Sequence, residues 1–209
     1  MKERPILFTG PMVRAILDGR KTQTRRPMKV QPDWRNPVVG CDGVAVGLGG
    51  SGLDGGVKSP FGTIGDQLWV RETWGLMAYH DTTDWCRDSV AKLTESHVRE
   101  QWLVEHAANW NLPSESAYWR PSIHMPRWAS RIDLEITRVR VERVQDITEE
   151  DAKVEGVTPD DYEGYEHPDN PTLSCAAHRY SFRDLWQSIY GTWDANPWVW
   201  VYEFRRVSP

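Results

Sequence analysis

R-I-D-L-E-I-T-R-V-R-V-E-R-V, residues 131–144, alternates apolar and polar side chains through Ile132, Leu134 and Ile136, then resumes in the opposite phase at Val139 and Val141. Alternation with period two marks a half-buried strand, and a change of phase within one strand predicts a bulge or bend near Thr137. A second long strand is predicted at P-W-V-W-V-Y-E-F-R-R-V, residues 197–207, where β-branched and aromatic residues are dense. Ile6 to Phe8 reads as a short strand. Gly65-Asp66 makes a turn into Q-L-W-V-R-E-T-W, where Leu68 and Val70 alternate with Trp69 and Arg71, and Arg71 and Glu72 emerge at the strand's end.

Short helices are predicted between these strands. Gly10 as N-cap and Pro11 at the first helical position open one that carries Val13, Ile16 and Leu17 and stops at Gly19. In D-I-T-E-E-D-A-K-V-E-G-V, Thr148 caps a helix, Asp151 takes the capping-box position and Gly156 closes it, leaving Glu155 on the last turn. Ser181 is the expected cap of a third, with Phe182, Leu185, Trp186 and Ile189 ahead of Gly191. Gly40 to Gly56 holds eight glycines and reads as a mobile loop or loose hairpin. From about residue 76 to 119 the composition turns charged and amphipathic, with Val98, Trp102, Leu103 and Ala107 on one helical face, which predicts a helical insertion. The absence of a regular βαβ repeat argues against a doubly wound sheet. The expectation is one domain, mainly β with short helices (α+β), built on a small, partly closed barrel.

Composition narrows the function classes. A formal charge of -5 and a pI near 5.7 argue against coating nucleic acid by bulk electrostatics. Twelve Trp exclude disorder without choosing among core, stacking and interface uses. Cys41, Cys86 and Cys175 are odd in number and outside any C-x-x-C pair, which fits a reducing compartment. Cys175 and His178 are the nearest approach to a ligand pair and have no second pair to complete a zinc site, so no metal and no cofactor is expected. No stretch approaches the ~20 apolar residues that span a bilayer, so the chain reads as soluble and cytoplasmic.

Chemistry concentrates in G-R-K-T-Q-T-R-R, residues 19–26. Arg20, Lys21, Arg25 and Arg26 are either a solvated basic loop or a grip on an anionic or polar substrate. A threonine hydroxyl attacks only beside a base, and Lys21 serves as one if neighbouring arginines and burial lower its pKa. Glu155, beside the negative end of a helix, is either an exposed last-turn carboxylate or a proton donor. Lys21 and Thr24 point to opposite faces of an ideal strand, so a working pair requires a turn at Thr22-Gln23. Trp119, His124, Arg127 and Trp128 suit base stacking and contact with phosphate or base edges, or else form a packed loop.

I-L-F-T-G-P-M-V-R-A-I-L-D-G-R-K-T-Q-T-R-R, G-D-Q-L-W-V-R-E-T-W, I-T-E-E-D-A-K-V-E-G and W-V-W-V-Y-E-F together resemble the ASCH family, whose domains have a PUA-like β-barrel fold. W-R-P-S-I-H-M-P-R-W-A-S-R-I is similar to the larger ASCH proteins of bacteriophages and prophages, which implies a bacterial host cell. Small bacterial members include an amidohydrolase that converts N4-acetylcytidine to cytidine and acetate. The resemblance implies Thr24 as nucleophile, Lys21 as its base and Glu155 as proton donor. Arg20, Arg26, Arg71, Glu72, His124, Arg127 and Trp128 are then the expected substrate-binding residues. The expected partner is a modified nucleoside or a base of single-stranded RNA or DNA. Other ASCH domains are linked to RNA binding or ribonuclease activity, so a non-catalytic RNA-binding module, a ribonuclease and a phage interaction scaffold are the alternatives.

Overall fold

The computed structural model of the 209-residue chain describes residues 1–48, 56–78, 102–109, 118–159 and 177–207. Its centre is the pair of strands expected from alternation. β10 (Asp133–Arg143) and β11 (Trp198–Val207) run antiparallel, and their register shifts between Ile136 and Arg138, where the sequence changes phase. The bulge lets Ile132, Leu134, Ile136 and then Val139 and Val141 all join the same apolar core. β6 (Gln67–Arg71) pairs with the other edge of β10, β1 (Glu3–Leu7) lies parallel to β6, and β2 (Gln23–Pro27) lies antiparallel to β11. The resulting order is β1-β6-β10-β11-β2.

β11 is buried on both faces, which explains its continuous apolar run. Trp198, Trp200, Tyr202 and Phe204 enter the main core with Ile6, Val13 and Leu68, while Val199 and Val201 pack against helices on the opposite face. Full burial of each such side chain contributes about 1.5–3 kcal/mol. Those helices are α2 (Glu149–Val154), capped by Thr148 Oγ1 accepting from the Asp151 N–H, and α3 (Ala177–Tyr190). The α3 start is held by the Glu149 carboxylate, which accepts the backbone N–H groups of His178 and Arg179 at 3.1 and 3.0 Å.

Two smaller sheets complete the described residues. β3 (Arg35–Val39), β4 (Val44–Leu48) and β5 (Val57–Lys58) form one; β7 (Trp74–Ala78) between β8 (Trp102–His106) and β9 (Tyr118–Arg120) forms the other. The fold is a strand-rich α+β arrangement, and among the described residues none of the three sheets closes into a barrel.

Several local expectations are corrected. Residues 102–106 are a strand paired antiparallel with β7, so a helical face through Trp102, Leu103 and Ala107 does not form; W-L-V-E-H is rich in β-prone side chains and gains ladder hydrogen bonds there. Val98 lies outside the described residues. The glycine-rich stretch agrees with the hairpin alternative where it is described: it holds β4, paired antiparallel with β3 and β5, and Gly47 leaves room for the Trp34 ring, since a Cβ at that position would stand 2.2 Å from Trp34 Cγ. Residues 49–55 of that stretch lie outside the described set. Thr9, not Gly10, is the N-cap of α1 (Gly10–Leu17). Ser181 sits inside α3, which begins at Ala177 because Glu149 supplies the anionic cap that Ser181 was expected to supply.

Candidate active site

The segment from Arg20 to Gln23 links α1 to β2 and is clamped from two sides. The N–H groups of Arg20 and Lys21 both donate to the Ala15 carbonyl at 2.9 Å, and the Thr22 N–H donates to the Val154 carbonyl of α2 at 2.9 Å. Gly156, with φ +83°, ends α2 directly on Lys21: a Cβ at Gly156 would lie 2.8 Å from Lys21 Cβ and 2.9 Å from Ala15 Cβ. The expected turn at Thr22-Gln23 does not form, because Gln23 already opens β2 and the Thr22 carbonyl accepts the Phe204 N–H at 2.9 Å.

Lys21 is buried and its ammonium uses all three donors. Nζ donates to Glu155 Oε2 at 2.9 Å, to the Glu155 carbonyl at 2.7 Å and to the Gln23 carbonyl at 2.8 Å. Burial pushes the Lys21 pKa below its ordinary value, Arg26 and Arg25 push the same way, and the Glu155 carboxylate pulls against them without cancelling the shift. The other Glu155 oxygen, Oε1, accepts from Arg25 Nη1 at 3.0 Å.

Arg25 is the hub of the cluster. Its side chain is 0% exposed, and Nη2 reaches Glu142 Oε2 at 3.0 Å and Asp151 Oδ2 at 2.9 Å. Arg140 takes the second Asp151 oxygen at 3.1 Å and also bonds Glu142 and Glu203. Burial pushes the Asp151 carboxyl up, but Arg25 and Arg140 outweigh it and hold the pKa below the usual value. On the far side of the strand pair, Tyr202 shares a 2.8 Å hydrogen bond with Ser59, and burial pushes its hydroxyl up to about 12.

Lys21, Thr24, Arg26 and Glu155 line one cavity of about 560 Å³ together with Phe8, Phe182, Trp186 and Tyr190. This volume falls within the range of small-molecule sites, roughly 300–1,000 Å³. Lys21 Nζ and the Arg26 guanidinium sit 5.5 and 5.2 Å from the centre of the Phe8 ring. Thr24 is 2% exposed, and among the described residues no hydrogen bond engages its hydroxyl. Thr24 stands at the cavity wall, and its hydroxyl is not among the sealed-off polar atoms that lack a partner.

Compared with protein-family models, curated proteins and solved structures, the chain matches none. Among the described residues no cluster of three or more His, Cys, Asp or Glu gathers to hold a metal ion, and no helix is long and apolar enough to cross a membrane.

The other residues singled out in the sequence lie off the cavity lining. Arg20 is exposed and bonds Asp18 at 3.0 Å. Arg71 stacks over Trp69 and donates to the Ile123 carbonyl, while Arg127 pairs with Glu3 and Asp133. Glu72 is buried in a two-point bond to Arg131. Trp128 packs edge-on against Trp74, and His124 is exposed on a 3-10 turn whose first residue, Ser122, reaches the cavity. Arg25, named in the sequence only as one cation of the basic run, and the α3 aromatics were not among the expected catalytic or substrate-binding residues. The i, i+3, i+4, i+7 spacing of Phe182, Leu185, Trp186 and Ile189 reads as a core stripe, and only the exposure of Ile189, 52%, shows that the stripe outruns the core.

Proposed function

We propose that the chain is an ASCH protein, with the five-stranded sheet as the counterpart of the PUA-like barrel, and that its cavity binds a modified cytosine nucleoside and hydrolyses the amide of an N4-acyl group. The observation that carries this is the convergence, in one aromatic-lined cavity, of a buried lysine, its carboxylate partner and a buried threonine with an unengaged hydroxyl. Aromatic walls suit the flat face of a pyrimidine, and the bound amide brings its carbonyl to Thr24.

The Lys21–Glu155 contact accounts for the proton traffic. As an ion pair it offers neither a base nor an acid. With one proton moved across the 2.9 Å contact from Nζ to Oε2, it offers both. In the first half-reaction the Thr24 oxygen bonds to the acyl carbon and its proton passes to Lys21. The C–N4 bond then breaks, and Glu155 protonates the departing amine. The ion pair is restored and Thr24 carries the acyl group as an ester. In the second half-reaction water attacks that ester and gives a proton to Glu155, and Lys21 returns one to the Thr24 oxygen. The carboxylic acid leaves and the neutral pair is regenerated. For Lys21 to reach Thr24, Nζ must exchange one of its present three partners, a tightening that apo sites commonly complete on binding substrate.

Non-catalytic base binding is the second reading, favoured by that full occupancy of Nζ and by the lack of a hydrogen bond from Lys21 to Thr24. Quenched incubations with N4-acetylcytidine, followed by peptide mass spectrometry, separate the two. Hydrolysis predicts an acetyl ester on Thr24 that is absent from Thr24→Ala; binding of the nucleoside without any adduct or free cytidine supports the second reading and overturns the first.

A further inference from the structure

Arg25 is a fully buried guanidinium whose bonds all run to carboxylates, and one of those carboxylates is the Lys21 partner. From the geometry we infer that Arg25 is a positioning residue that holds the Glu155 carboxylate in the orientation that meets Lys21, and so sets the pH range in which Lys21 is a base. The inference rests on the hydrolytic role of that pair only for its consequence in catalysis; the effect on the proton itself stands independently.

Three features support it. Arg25 Nη1 holds Glu155 Oε1 at 3.0 Å, which leaves Oε2 turned to Lys21 Nζ at 2.9 Å. Arg25 is itself held from behind by Asp151 on α2 and Glu142 on β10, so it cannot swing away without breaking two further ion pairs. The Arg25 guanidinium also lies 5.8 Å from the centre of the Phe182 ring of α3, which closes the remaining side. A positive charge at this position disfavours protonation of Lys21, and the Arg25 guanidinium, after burial and Arg26, is one of the causes that hold Lys21 below its ordinary pKa.

Other charges also face the pair, and what sets Arg25 apart is its direct bond to Glu155. Arg26 adds a cation beside Lys21, and Arg140 on β10 compensates Asp151 and Glu142 together with Glu203 of β11. His178 and Glu149, where α3 meets α2, are paired with each other at 2.7 Å.

The test uses the full chain labelled with 13Cε-lysine, whose Lys21 resonance is assigned by its loss in Lys21→Met and followed by NMR as pH is raised. In Arg25→Met the Lys21 titration should move to higher pH, with a corresponding loss of neutral amine at a fixed pH below the midpoint. Arg25→Lys, which keeps a cation, should recover most of the shift. Glu142→Gln, which loosens Arg25 from behind without touching Glu155, is the second probe and should shift the midpoint even if Arg25→Met does not fold. A Lys21 midpoint unchanged in folded Arg25→Met, or in Glu142→Gln where that variant alone folds, overturns the inference. The pH profile of N4-acetylcytidine hydrolysis is read in parallel: a shifted NMR midpoint without any hydrolysis keeps the inference and removes the hydrolase reading, whereas hydrolysis with an unmoved midpoint does the reverse.

Discussion

Replacing Glu155 by glutamine keeps the shape of the side chain and removes one charge from the centre of the cluster. Lys21 is then left 3% exposed with two carbonyl acceptors and no counter-ion, while Arg25 keeps Asp151 and Glu142. Breaking a buried pair by removing one partner costs about 3–5 kcal/mol, chiefly from the stranded charge. For a chain of this size that is a fall in Tm of roughly 6–20 °C. The deficit is pH-dependent, and its sign follows from Lys21. Its folded pKa lies below the ordinary 10.5, so between the folded value and 10.5 the unfolded chain binds more protons and stability rises with pH. Urea melts of wild type and Glu155→Gln between pH 7 and 10 should therefore show a large gap that narrows as pH rises. A loss under about 1 kcal/mol at pH 7, the size of an exposed ion pair, would refute the buried-pair account.

Two further perturbations read the frame around the site. Tyr202 ionises at about 12 when folded against 10.0 ordinarily, so its contribution, on the order of 3 kcal/mol, is complete below pH 10 and lost as pH rises towards 12. Tyr202→Phe should flatten that alkaline slope in denaturation curves, and an unchanged slope would show that Tyr202 is not its source. Gly156→Ala and Gly19→Ala both place a side chain at positive φ, +83° and +74°, which costs about 1–2 kcal/mol. Only at Gly156 does the new Cβ meet Lys21 and Ala15, so Gly156→Ala should be clearly the more destabilising in urea melts; equal losses would mean that α2 does not rest on Lys21.

Alternation alone carried the central strands, down to the bulge after Ile136, because one face of β10 is buried and a slip would turn every side chain over. The Thr148 cap and the Gly156 stop were equally legible, since caps are local chemistry. Trp102 to His106 was misread because an apolar spacing fits a short helix and a short strand alike, and pairing with β7 is a non-local fact. The openness of the sheet is likewise non-local. At the site, Lys21, Thr24 and Glu155 were visible as residue types, and burial together with the Arg25 and Arg26 charges lowers Lys21 as expected. Arg25 was not distinguishable from Arg26 by sequence: both stand in β2 and both line the cavity, and only the placement of Glu142 and Asp151 makes the first a buried hub.

The most direct measurement is chromatographic assay of N4-acetylcytidine incubated with wild type and with Thr24→Ala. The account predicts release of cytidine and acetate by wild type, and a rate at least about a hundredfold lower in Thr24→Ala, which retains the cavity but lacks the attacking oxygen. No cytidine from the wild-type protein, or equal rates from the two, would contradict it.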